Sequence, residues 1–226
     1  MTSSLPSRIE LQDICALVAR GTIGAIPLVG PMIAEVAGAI IPGQRQDRFE
    51  EFLRILDQRL SQLALDRAEM ERRFKSETFI DLLEDGTLQA VRSVSRERKE
   101  YIATLLARGM SVKDLDHARA KKLLLTLNDL TDPEVIVLKS FSMDSRRREA
   151  FVAKYPEIFG HADAREQSTE DQDRRAFLAS YHQSLLKSGL LRQDRGYAIT
   201  DFGNMLIEFI WEQEDVDKKP PQGTVE

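Results

Sequence analysis

The residues able to do chemistry are few, and their spacing decides what they could do together. His117, His161 and His182 are the three histidines, and Cys15 is the single cysteine. A structural zinc site pairs such ligands at spacings of about two to five residues, and these four stand far apart. Cys15 lies between Ile14 and Ala16 on an apolar helical face, where a thiol is packing rather than a thiolate nucleophile. Gly24, Gly30 and Gly38 do not make a phosphate loop. No Gly-Lys-Ser/Thr follows them, and prolines stand where cradling amides are needed. No metal centre, cofactor site or catalytic set assembles. The expectation is a protein that is not an enzyme, with no metal, no cofactor and no evident small-molecule substrate.

One carboxylate has an unusual setting. Glu35 interrupts Gly21–Pro42, GTIGAIPLVGPMIAEVAGAIIP, the most apolar stretch of the chain. A helix needs about 20 apolar residues to span a bilayer, and this stretch reaches that length only by including Glu35. Pro27 and Pro31 each remove an amide donor and break a single helix. Two short helices folded as a hairpin are expected instead. Gly30, Ala34 and Gly38 recur every four residues, so one face of the second helix is nearly bare backbone and lets another helix come close. Gly24, Pro27, Gly30, Pro31, Ala34, Glu35 and Gly38 are therefore the candidate membrane or oligomer contacts. The stretch reads either as a buried core hairpin or as a membrane-active one. Glu35 either pairs with Arg20 or Arg45, or sits at the exposed edge.

Composition sets what surrounds these residues. The 226 residues suffice for one large or two small domains. At 31% charged the chain exceeds the usual quarter, and few aromatics, glycines and prolines favour helix. A net charge of −5 gives no general affinity for nucleic acid or anionic lipid. One cysteine excludes an internal disulfide and fits a reducing compartment. Glu10 and Asp13 precede the apolar run, and Ile40-Ile41-Pro42-Gly43 is a poor cleavage site, so no secretory signal is expected. The location expected is cytoplasmic, or peripheral to the inner membrane if the hairpin engages lipid.

The elements that position these residues are mostly helices. A helix over 8–20, capped by Ser7, leads into the hairpin. Gln44 to about Glu77 is the longest helical pattern, with Phe49, Phe52, Leu53, Leu56, Leu60 and Leu63 on one stripe. The stripe suits packing on the body or an oligomer seam. Two short helices, Glu77–Glu84 and Thr87–Val94, are expected either side of Asp85-Gly86. Ser95 caps an amphipathic helix that Gly109 ends. Helices over 116–128 and from Pro133 follow. Arg146–Arg148 form a small basic cluster, anchored by Phe151, Val152, Tyr155 and Phe159. Gly160–Asp173 reads as an exposed loop. A helix from Arg174 stops at Gly189, a hairpin turns at Asp194-Arg195-Gly196, and Thr200 or Asp201 caps a last helix to Trp211.

Helix, glycine, strand, tight turn, strand and Thr-capped helix is the order of a winged helix-turn-helix, carried by SLLKSGLLRQDRGYAITDFGNMLIEFI. Arg174, Arg175, Lys187, Arg192 and Arg195 are the candidate nucleic-acid contacts. Asp173, Asp194, Asp201, Glu208 and Glu212 equal them in number, whereas a duplex-reading module shows a positive excess. Protein contact is favoured over DNA contact.

LNDLTDPEVIVLKSF and LLKSGLLRQDRGYAITDFGNMLIEFI together resemble the C-terminal half of abortive-infection alpha proteins, a bacterial phage-defence family. The resemblance covers about the last hundred residues and implies a defence role, with no catalytic residue to carry over.

The fold expected is mainly α: a helical bundle with an N-terminal Gly/Pro-containing apolar hairpin and a C-terminal winged-helix-like unit. Residues 1–110 form the helical domain, 111–213 the winged-helix-like domain, and 214–226 a disordered tail. The function expected is a non-enzymatic bacterial defence or stress protein acting through protein or membrane contacts of the hairpin. Its partner is a protein or a second copy of itself. The alternative is a winged-helix DNA-binding transcriptional regulator that dimerises through its N-terminal helices.

Overall fold

The computed structural model describes residues 43–63, 67–111, 117–160 and 169–211. The expected 21–42 hairpin and 214–226 tail lie outside them, as do Cys15 and His161. The described residues are mainly helical, with ten helices and two short strands. In order these are α1 (Gly43–Ser61), α2 (Arg67–Phe74), α3 (Glu77–Arg92), α4 (Arg96–Ser111), α5 (His117–Asn128), α6 (Asp132–Phe141), α7 (Ser145–Val152), α8 (Pro156–Phe159), α9 (Thr169–Lys187), β1 (Leu191–Gln193), β2 (Tyr197–Ile199) and α10 (Asp201–Ile210).

Helix α4 is the axis of the packing, in contact with α1, α3, α5 and α10. Every residue from Tyr101 to Ala107 is buried. An amphipathic helix with one inward face was expected. With neighbours on all sides, Ala103, Thr104 and Ala107 are covered as well, as happens when a helix is apolar nearly all round. Phe49, Phe52, Leu53, Leu56 and Leu60 of α1 are buried within the chain, so that stripe faces the chain's own core. One cluster of buried side chains runs from Phe49 to Ile210, through both expected halves.

Four boundaries differ from expectation. Gly86 does not split a pair of helices: α3 runs through it without a break. Gly109 does not end α4, which continues to Ser111. Both glycines are packing positions, since a Cβ on Gly86 would meet Leu106 and one on Gly109 would meet Leu82. The pattern expected over 44–77 is two helices. Ser76 then starts α3, its hydroxyl accepting from Phe79 N–H at 3.2 Å. Helix α9 begins at Thr169, five residues before Arg174, because Glu170 and Asp171 suit the positive end of a helix.

Other local signals hold. Ser95 Oγ accepts from Arg98 N–H at 3.0 Å, as an N-cap does. Thr131 opens α6, its N–H and hydroxyl both donating to Glu134 Oε2 at 2.6 and 2.9 Å. Asp144 caps α7 through Arg147 N–H.

Two buried cations tie the bundle together. Arg98 donates from Nη1 to Leu127 O and from Nη2 to Leu130 O, each at 2.7 Å, and from Nε to Asp132 Oδ1 at 2.7 Å. One guanidinium thus satisfies carbonyls at the α5 end and holds the first carboxylate of α6. Lys99, only 2% exposed, donates from Nζ to Glu51 Oε2 at 2.5 Å and links α4 to α1. Among the described residues no helix is long and apolar enough to cross a membrane.

Candidate functional site

Two places gather polar and aromatic side chains: the outer surface of α9 with the hairpin, and a cavity beside α4.

The first is built by local rules. Gly189 takes the left-handed conformation, φ +70°, at the end of α9. Leu190 N–H then returns to Leu185 O, and Gly189 N–H to Leu186 O, both at 3.0 Å. This is a Schellman ending, and glycine avoids the Cβ penalty there. The chain enters β1, which pairs antiparallel with β2 in the register Leu191↔Ile199, Arg192↔Ala198 and Gln193↔Tyr197. Asp194 N–H closes the turn onto Gly196 O at 2.9 Å. Thr200 locks both ends of the unit. Its hydroxyl donates to Gly189 O at 2.7 Å and accepts from Gly203 N–H at 3.0 Å. Any Cβ on Gly203 would overlap the Leu190 carbonyl oxygen, so Phe202-Gly203 fixes how α10 docks.

On this unit the five candidate basic residues fall in different settings. Arg174 is half-buried and bound to Asp171 Oδ1 at 2.5 Å, so its charge is already engaged. Arg175 and Lys187 are exposed on α9, and Arg192 and Arg195 are exposed on the hairpin. Glu170, Asp173, Asp194, Asp201 and Glu208 are exposed on the same unit, so the surface carries both signs. Sequence spacing did not reveal the most exposed aromatic. Phe177 is 63% exposed and stacks on Tyr181, ring centroids 6.3 Å apart. Of the 19 residues of α9, Leu185 alone is fully buried.

Beneath the hairpin His182 stacks on Tyr197 at 4.3 Å, with Phe141 edge-on to both rings. Arg148 lies over the other aromatic partner, 4.2 Å from the Phe141 centroid. Burial pushes the His182 pKa down, and the nearby Arg148 charge adds to this. The imidazole therefore favours its neutral form.

The second place is a cavity of about 210 Å³ lined by Arg59, Glu97, Glu100, Tyr101, Thr104, Tyr155 and Trp211, among others. The Tyr101 and Trp211 rings are 5.0 Å apart, Phe151 stands edge-on to Trp211, and Lys139 Nζ lies 5.0 Å from the Trp211 centroid. Arg108 holds the Trp211 carbonyl at 3.2 Å. Burial raises the Tyr101 pKa, helped by Tyr155 and Asp132, so the phenol is a hydrogen-bonding group and no base. The space is smaller than the roughly 300–1,000 Å³ of ordinary ligand sites. Neither this cavity nor the buried Arg98 and Lys99 was expected from sequence. The available signal was that Lys99 keeps step with Ile102, Ala103 and Leu106 on the apolar side of its helix.

The apolar contacts proposed at Gly24, Pro27, Gly30, Pro31, Ala34, Glu35 and Gly38 fall outside the described residues. Among the described residues no group of three His, Cys, Asp or Glu side chains could hold a metal ion. No family model, curated protein or solved structure matches the chain.

Proposed function

We propose that this chain is a non-enzymatic protein-contact protein of a bacterial defence or stress response. In this reading the unit from α9 to α10 is a winged-helix-like binding half. Gly21–Pro42 is the membrane- or oligomer-engaging element. The observation that carries the proposal is the outer face of α9. It presents Phe177 to solvent, stacked on the half-buried Tyr181, beside a surface of mixed charge. Exposed aromatics without a cationic excess suit a protein partner better than a phosphate backbone. The defence setting rests on the resemblance of the last hundred residues to abortive-infection alpha proteins.

The test is phage plating on bacteria that carry the full chain. Protection is expected from the parent and lost in Phe177→Asp, while Glu97→Gln with Glu100→Gln keeps it. Loss of protection in the cavity variant with an intact fold would speak for chemistry at the cavity. No protection by the parent would remove the defence role. The regulator reading is supported by the exposed Arg192 and Arg195 on the hairpin. It requires a salt-dependent shift of duplex DNA that weakens when both become alanine.

A further inference from the structure

The exposed face of α9 is self-complementary, and we infer that it pairs antiparallel with α9 of a second copy of this chain. Glu170, Asp173, Phe177, Ser180, Ser184 and Lys187 follow one another at steps of three and four residues, the spacing of a two-helix seam. Five of the six are exposed and Ser184 is half-buried. The line runs from Glu170 to Lys187, nearly the whole helix, and is about 26 Å long.

Charge fixes the direction and the register. With a twofold axis between positions 178 and 179, Glu170 of each copy falls opposite Lys187 of the other. Two ion pairs then close the ends. Phe177 falls opposite Ser180, flanked by the exposed Ala176, and these small side chains leave room for the ring. Asp173 falls opposite Ser184, a hydroxyl that can donate to it. No like charges meet along the line. A parallel pair would set Glu170 on Glu170 and Asp173 on Asp173. Sliding the antiparallel pair by one heptad one way would press Asp173 against Phe177 and desolvate a carboxylate. Sliding it the other way would carry Glu170 past the end of the partner helix and lose both Glu170–Lys187 pairs. An isologous pair also suits a twofold dimer, the commonest symmetric assembly.

The inference rests on the protein-contact reading and names the partner. It is tested by sedimentation equilibrium of the full chain between about 1 and 100 μM. A reversible dimer is expected. Glu170→Lys and Lys187→Glu should each raise the dissociation constant about tenfold, and the double variant should return to within about threefold of the parent. Phe177→Asp should leave the monomer. All three side chains are exposed, so an unchanged far-ultraviolet circular dichroism spectrum is expected and certifies the fold. A parent monomeric throughout the range overturns the inference. So does a dimer indifferent to these variants, which is built elsewhere, or a double variant as weak as the singles. If the parent is monomeric but Phe177→Asp still abolishes phage protection, the face binds a different protein and the protein-contact reading stands. A face that shifts duplex DNA in the parent and not in Phe177→Asp, with no dimer, overturns both.

Discussion

Leu106 of α4 occupies the space that a side chain on Gly86 of α3 would need: a Cβ there would stand 2.9 Å from Leu106 Cδ1. The relationship is reciprocal, because a Cβ on Gly109 of α4 would stand 2.8 Å from Leu82 Cδ2 of α3. Each helix offers one bare position and one leucine to the other. The two backbones come close at both points, and the leucines fill what the glycines leave.

Gly86→Val should therefore destabilise the fold by about 1–3 kcal/mol, the usual cost of overpacking. Gly86→Ala should come out near neutral, because a gain in helix propensity of about 1 kcal/mol opposes a clash with mobile methyl groups. Leu106→Ala alone should cost about 2–5 kcal/mol by leaving a cavity. Combining it with Gly86→Val should cost less than the sum of the two. Strict additivity in urea titrations would show that the residues do not share that space.

Arg98 makes three hydrogen bonds that a lysine cannot reproduce. Arg98→Lys should lose about 2–4 kcal/mol, because two buried carbonyls and Asp132 cannot all be reached by one ammonium. Asp132→Asn should cost less, since Arg98 keeps both of its carbonyl acceptors, Leu127 O and Leu130 O. A smaller loss for the lysine variant than for the asparagine would mean the carbonyl contacts carry little.

The Lys99–Glu51 pair is lopsided. Lys99 is buried, whereas Glu51 is 39% exposed. Removing Lys99 returns a carboxylate to water, but removing Glu51 strands a cation in the core. Lys99→Met should thus cost under about 1 kcal/mol and Glu51→Gln roughly 2 kcal/mol, below the fully buried case because water reaches the acid. Denaturation midpoints in the reverse order would show that Lys99 has another partner of equal worth.

His182 makes stability depend on pH in a stated direction. Its folded pKa lies below the ordinary histidine value, so the unfolded chain binds more protons as pH falls. The contribution is present above the unfolded pKa of about 6.5 and is lost as pH drops through the lower folded value. His182→Phe keeps a ring on Tyr197 without a titrating group. The stability of the parent relative to this variant should fall between about pH 8 and pH 5. Parallel profiles would show that His182 titrates as freely folded as unfolded.

Much of this protein could be read from local chemistry. Ser95, Thr131 and Thr200 act on partners three residues away, and Gly189 turns the chain where the apolar pattern of α9 ends. Such signals lie within one helical turn, so the sequence alone determined that the described residues are mainly helical, with their two short strands in the hairpin after Gly189. What it could not determine was the company each helix keeps. Asp85-Gly86 and Gly109 read as breaks because a glycine without a known neighbour is only a weak helix former. Their role depends on Leu106 and Leu82, which reach them only after α3 and α4 have met. Lys99 and Arg98 read as solvated charges until α1, α5 and α6 close around them. Phe177 keeps helical step with Tyr181, and that spacing alone does not say which of the two rings is covered. The packing of α9 through Leu185, near its C-terminal end, leaves the Phe177 ring in water. Periodicity tells which side chains share a face. Only the arrival of other helices decides which face is covered, because burial is a property of the whole assembly of elements and not of any one of them.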